Sequence, residues 1–256
     1  YNMKLLGGDP VIMATVGDDF APYAERLRTL GLDASHIQHV TNTFTAQAFI
    51  TTDLADNQIT AFHPGAMNFA HQNTVASADG IKLGIVSPDG RQGMIEHARQ
   101  FAEADIPFIF DPGQGLPMFN GEELLAFIQQ ADYLTCNDYE AKLLQERTGQ
   151  TLESLAKEVR ALVVTLGGDG SRIYADGQVH EISAAKASAV VDPTGCGDAY
   201  RAGLMTGMHK GMDWPTSGRL AGLLGAIKIA ERGGQNHHFT WDEICDRFKA
   251  EYGYAL

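Results

Sequence analysis

The sequence predicts an α/β fold in three layers, with helices on both faces of a mostly parallel sheet, on three observations. Short apolar stretches alternate with longer helical ones from about residue 81 to residue 166, the order that packs as a parallel sheet with crossover helices. Residues 43–63 break that rhythm with two β-rich runs around a polar cluster, a hairpin set into the domain. The chain has 256 residues and is 44% hydrophobic, which suits one domain, 1–256, with a sizeable core.

Taken in order, Tyr1 to Gly8 reads as the end of a helix closed by glycine, so an N-terminal segment is expected ahead of it. Pro10 to Val16 is a strand, and Phe20 to Leu30 a helix stopped by Gly31. Thr45–Thr52 and Gln58–His63 are the hairpin strands, with Asp53–Asn57 as their turn; neither is a continuous apolar run, so one covered face is expected. Ile81–Val86 leads to a helix from about Gln92 to Ala104, Pro107–Phe110 to one near Gly121–Gln130, and Tyr133–Cys136 to one over Tyr139–Thr148. Leu162–Leu166 runs into a second hairpin, Ser171–Tyr174 against Val179–Ile182 across Ala175-Asp176-Gly177. Ala189-Val190-Val191 reads as a strand end, and Leu220 to Arg232 as a helix. In such sheets ligands bind at the carboxyl ends of the strands, where every motif below falls.

The formal net charge is −13, a field that repels nucleic acid and anionic membrane, so neither is an expected partner. Cys136, Cys196 and Cys245 are few and far apart, as reduced thiols in a cytoplasmic protein are. No apolar run approaches the roughly 20 residues of a membrane span. His63, His97, His180, His237 and His238 show no metal-ligand spacing with cysteine and read as surface or loop residues.

The richest stretch is Asp192-Pro193-Thr194-Gly195-Cys196-Gly197-Asp198-Ala199-Tyr200-Arg201-Ala202-Gly203, a glycine turn opening a helix. Free N–H groups at such a start favour an anion. Asp198 is then either a plain helix cap or a group that handles a proton. Asn137-Asp138-Tyr139-Glu140 fits a capping box and equally places two oxygen-bearing side chains on one face of a first helical turn. Thr165-Leu166-Gly167-Gly168-Asp169-Gly170 is a strand end with a glycine loop, and Asp111-Pro112-Gly113-Gln114-Gly115 a strand end with a turn. No P-loop and no protein-kinase catalytic loop is present.

The 192–203 string closely resembles the C-terminal signature of the ribokinase-like (phosphofructokinase-B) family of small-molecule kinases, with Pro193 and Cys196 as departures at positions where only backbone is expected to act. The resemblance spans essentially the whole chain and implies a ribokinase-like fold with residues 43–63 as a β-lid. It implies a first strand and a Gly-Gly/Asn motif upstream of Tyr1, carrying sugar-binding groups. Thr45–Met67 and Asp111–Gln114 look most like the bacterial adenosine-kinase-like nucleoside kinases.

Several roles come with it. Asp198 is the expected general base, and the backbone N–H groups of Gly195, Cys196 and Gly197 the anion hole. Asn137 and Glu140 are expected to organise Mg²⁺; Thr165, Gly167 and Gly170 to line ATP with Asn137, Thr194, Gly222 and Asn236; Asp192 to contribute to a monovalent cation (K⁺) site beside the Gly233–Asn236 loop. Gln47, Phe49 and Asp111 face the acceptor. The implied reaction moves the γ-phosphoryl group of ATP to a primary hydroxyl of a nucleoside or sugar, under a lid that excludes water or pairs with that of a second subunit. A ribokinase- or fructokinase-type sugar kinase and a non-catalytic nucleoside or sugar sensor are the competing readings.

Overall fold

The computed structural model describes residues 1–52 and 58–256; the turn expected at Asp53–Asn57 lies outside them. The elements are α1 (Asn2–Leu5), β1 (Ala14–Val16), α2 (Ala21–Thr29), β2 (Ile37–His39), β3 (Gln47–Thr52), β4 (Gln58–His63), β5 (Gly84–Val86), α3 (Arg91–Glu103), β6 (Phe108–Phe110), α4 (Gly121–Gln130), β7 (Tyr133–Asn137), α5 (Asp138–Thr148), α6 (Leu152–Leu155), β8 (Ala161–Thr165), β9 (Ser171–Ala175), β10 (Gln178–Ile182), α7 (Cys196–His209), α8 (Trp214–Lys228) and α9 (Trp241–Tyr252).

The main sheet runs β10-β9-β8-β7-β6-β5. Strands β5 to β8 are parallel, and β9 and β10 continue the sheet antiparallel. Both faces are covered, as the apolar runs require. Along β8, Leu162 and Val164 enter a core shared with α3, α4 and α5, while Ala161 and Val163 pack with Tyr200 and Leu204 of α7 and Ala221 of α8. Period-two alternation sends successive side chains to opposite layers, which gives the three-layer architecture. A further core joins α8 to α9 through Leu220, Leu223, Leu224, Ile244 and Phe248. The β9–β10 turn places Asp176 (φ 51°) and Gly177 (φ 72°) in the left-handed region, as a tight two-residue hairpin demands.

Several expectations are corrected. The first strand is only Ala14–Val16 and pairs with β2. The strand expected from Ile81 begins at Gly84, where pairing with Phe108 starts. Ala189–Val191 is not a strand: the N–H groups of Val191 and Asp192 donate to Ile229 O, at 2.8 and 3.1 Å, so the end of α8 holds this segment. Helix α8 starts at Trp214 because Asp213 caps it, accepting from Thr216 N at 2.7 Å, and it ends at Lys228 rather than Arg232. Helix α9, opened by the Thr240/Glu243 capping box, is not among the expected elements although its signature is present. His97 is a buried residue of α3, neither surface nor loop, with Nε2 3.0 Å from Asn73 O; His237 does lie in a loop, and is buried there.

The β3–β4 ladder pairs Gln47 with His63 through to Thr52 with Gln58. It starts at Gln47 rather than Thr45 because Asp19 Oδ1 accepts from both Thr45 N (2.8 Å) and Thr45 Oγ1 (2.7 Å). The expected covered face is absent: Phe49, Ile50, Ile59 and Phe62 are all exposed, and Phe49 and Ile50 belong to opposite faces.

Candidate active site

Helix α7 begins on Gly195, whose φ of 79° is left-handed and therefore suits glycine. Cys196 N–H donates back to Pro193 O at 3.1 Å, closing the turn. Of the three expected anion-hole donors, Cys196 N–H is thus engaged within the turn itself. Among the described residues the N–H groups of Gly195, Gly197 and Asp198 have no acceptor, so three donors remain at the positive end of the helix dipole. Asp198 stands in the first turn, is exposed, and makes no side-chain hydrogen bond among the described residues. It does not cap the helix; its Oδ2 lies beside Gly195, 3.7 Å from where a Cβ there would stand. A carboxylate so placed is free to accept a proton.

Asp111, Asn137 and Thr165 terminate or follow the neighbouring strands β6, β7 and β8, with Asn137 opposite Thr165 in the ladder. They share the carboxyl end of the sheet. Asp111 is buried and held by Arg201 of α7: Nη2 donates to Oδ1 at 2.6 Å, and Nε lies against Oδ2. Ser87 Oγ adds a longer bond to Oδ2 at 3.4 Å. Burial pushes the Asp111 carboxyl above its ordinary range, with the Arg201 charge opposing, and the guanidinium stays charged. Arg201 Nη1 donates to no acceptor among the described residues and reaches back over Gly197, where it would stand 2.6 Å from an added Cβ. A side chain at position 197 would therefore displace the arginine.

Asn137 and Glu140 form a complete capping box: Asn137 Oδ1 accepts from Glu140 N at 2.7 Å, and Glu140 Oε2 accepts from Asn137 N at 2.8 Å. Glu140 is half-buried, and desolvation raises its carboxyl above the usual range, with the nearby Asp111 charge adding to this. In the glycine loop, Gly170 (φ 96°) is required by close approach to Ile182 O, whereas Gly167 (φ 58°) borders open space. Gly222, within α8, likewise has no neighbour near a would-be Cβ.

On the far side of the turn, Asp192 Oδ1 accepts from Thr194 N (2.9 Å) and Oδ2 from Gly233 N (2.7 Å). These backbone donors depress its pKa to about 2. Lys228 Nζ donates to Asp192 O and to Glu231 O, each at 2.9 Å. Each carboxylate oxygen of Asp192 thus accepts one backbone N–H and its main-chain oxygen the Lys228 ammonium, so a K⁺ ion at the expected site would have to share these oxygens with a fixed internal cation. Asn236 turns its amide to Arg232 O at 2.8 Å, bracing the loop after α8.

In the β3–β4 hairpin, Gln47 Nε2 donates to Asp19 Oδ2 at 2.9 Å, so one carboxylate ties β3 to the body. Sequence reasoning missed Asp19, Arg201 and Lys228. Asp19 lies between the expected first strand and the helix that follows it, and Arg201 within the 192–203 signature itself.

A sequence model described as pfkB family carbohydrate kinase matches residues 1–241. The nucleoside kinase of Methanocaldococcus jannaschii is 30% identical over 249 residues, 96% of this chain and 82% of that protein. A Burkholderia thailandensis nucleoside kinase in complex with inosine is 49% identical and superposes with a TM-score of 0.97, covering 100% of this chain and 85% of that one. Its ADP–inosine complex superposes with a TM-score of 0.95 at 49% identity, over 100% and 80% of the two chains.

Proposed function

Because the chain belongs to the pfkB family of carbohydrate kinases, we propose that it is an ATP-dependent nucleoside kinase that transfers the γ-phosphoryl group to the acceptor's primary hydroxyl. The observation that carries this is the Asp198 carboxylate beside three N–H groups of the Gly195 turn, all without a partner among the described residues. That pairing of proton acceptor and anion site is what phosphoryl transfer to an alcohol needs. The inosine and ADP–inosine complexes of the Burkholderia relative support a nucleoside acceptor. In a melting screen with an ATP analogue present, nucleosides raise the melting temperature and ribose and fructose do not; stabilisation by sugars alone points to the sugar-kinase reading.

Asp198 accepts the hydroxyl proton as the alcohol oxygen bonds to the γ-phosphorus and the bond from that phosphorus to the β–γ bridging oxygen breaks, with ADP leaving. The N–H groups of Gly195, Gly197 and Asp198, with the Nη1 edge of Arg201, neutralise the phosphoryl oxygens. Asp111 anchors Arg201 and faces the acceptor from the end of β6. Thr165, Gly167, Gly170, Thr194, Gly222 and Asn236 border the nucleotide. Intact Asp198, Asn137 and Glu140 argue against a sensor without catalysis. The net charge of −13 and the free cysteines support the reading of a cytoplasmic protein without nucleic-acid or membrane partners; no described helix is long and apolar enough to cross a membrane.

Asn137 and Glu140 suit Mg²⁺, which takes hard oxygen donors and is commonly held by one or two carboxylates plus substrate phosphates and water. Glu140 Oε1 has no partner among the described residues. When bound, Mg²⁺ supplies charge neutralisation at the phosphates. Glu140→Gln keeps an oxygen acceptor for Asn137 N–H, so the melting temperature should hold while the Mg²⁺ concentration for half-maximal rate rises. An unchanged Mg²⁺ titration reduces Glu140 to a helix cap.

Phe49 and Gln47 lie on one face of β3, and Phe49 offers a free aromatic ring to a nucleobase. Phe49→Ala should weaken nucleoside binding by about 1–3 kcal/mol, the scale of base–aromatic stacking, with little effect on a free sugar. If the variant instead dissociates in sedimentation and keeps its acceptor preference, the lid face belongs to a homodimer.

A further inference from the structure

Lys228 is fully buried, with 0% of its surface exposed, and among the described residues it has no carboxylate partner within ion-pair distance. An ammonium out of water is costly unless its protons are satisfied, and a methionine or leucine would fill the end of α8 without that cost. Its Nζ bridges two main-chain carbonyls from different segments, Asp192 O and Glu231 O. The first belongs to the segment that enters the Gly195 turn and the second to the loop that follows α8. Three more bonds run between the same segments: Val191 N and Asp192 N to Ile229 O, and Gly233 N to Asp192 Oδ2. The ammonium also sits at the negative end of the α8 dipole, where a cation is favoured.

We propose that Lys228 is a tethered internal cation that joins the phosphate-binding turn to the loop after α8, doing in this chain what a bound monovalent metal ion would otherwise do. An ammonium and a potassium ion are close in size and are both bound by carbonyl oxygens. Here the carbonyls go to Nζ and both Asp192 carboxylate oxygens to backbone N–H groups. The oxygens that a free ion would have to share at Asp192 are thus already engaged by protein donors. Nucleotide binding is therefore independent of K⁺, and the phosphate turn keeps its shape in any salt.

The inference rests on the kinase reading of residues 192–198, and one experiment separates the two. ADP and inosine affinities are measured by calorimetry with K⁺, Na⁺ or choline as the only monovalent cation at constant ionic strength, so that general screening is equal. The expected result is ADP binding that varies by less than about twofold across the three salts, the residual scatter of matched screening. In Lys228→Ala, ADP affinity in choline falls at least about tenfold, the loss expected on removing charge-assisted bonds, and added K⁺ or methylammonium restores part of it while inosine affinity stays put. A merely structural lysine would lower both affinities together, and that result overturns the proposal. ADP binding to the unaltered protein that requires K⁺ also overturns it, and decides the matter even if the variant does not fold. Failure of ADP to bind in every salt is a different result, since it removes the kinase reading itself.

Discussion

Asp198→Asn is expected to lower kcat by at least about 100-fold, the low end for loss of a general base, while ATP affinity and melting temperature stay close to those of the unaltered protein. The structural reason is the isolation of this side chain. Asp198 is exposed, caps nothing and bonds to nothing among the described residues, so the amide breaks no contact on which the fold depends. Asparagine also keeps a similar shape beside Gly195 and leaves the three free N–H groups in place. It removes only the capacity to accept a proton. A variant that turns over within a few-fold of the unaltered enzyme takes Asp198 out of the reaction, and a variant that loses ATP affinity assigns it to the anion site.

Asp111→Ala is expected to be the most destabilising of the site substitutions, by about 3–5 kcal/mol, the range for leaving one partner of a buried ion pair unpaired. The side chain of Asp111 is 5% exposed and that of Arg201 16%, so water cannot replace the lost carboxylate. The guanidinium would either remain unpaired in the interior or swing out and give up its place over Gly197. The Asp111→Ala/Arg201→Met double variant should regain much of that stability, because the costly species is the unpaired charge rather than the missing bond. It should not regain activity, since the Nη1 edge is gone. Urea unfolding of both variants checks this. If the double variant is as unstable as the single one, the loss reflects packing around β6 and not the charge.

How far the sequence carries depends on the range over which each feature is determined. The 192–198 turn, the Asn137/Glu140 pair and the Gly167–Gly170 loop are local, built from residues within a few positions of each other, and they are legible as such. Strands β6 to β8 are legible because their apolar runs meet helices on both sides. Ala189–Val191 shares their composition yet forms no strand, because β structure needs a neighbour to pair with, and this segment finds the end of α8 instead. Arg201 and Asp111 are 90 residues apart, and Lys228 and Asp192 are 36 apart; no periodicity or motif announces either contact. Arg201 reads as one polar residue on a helix until the fold brings β6 beside α7. Cys196 is the reverse case: its place in the signature marks it as a donor, and only the backbone geometry reveals that its N–H is already donated to Pro193 O.

The central claim is that this site phosphorylates nucleosides through Asp198. The most direct measurement incubates the protein with γ-labelled ATP, Mg²⁺ and either inosine, adenosine, ribose or fructose, and separates the products. The account predicts labelled nucleoside monophosphate from inosine or adenosine, little or no labelled sugar phosphate, and loss of at least about 99% of the label transfer in Asp198→Asn, matching the base contribution above. Label on ribose or fructose in preference to the nucleosides, or undiminished transfer by the Asp198→Asn variant, would contradict it.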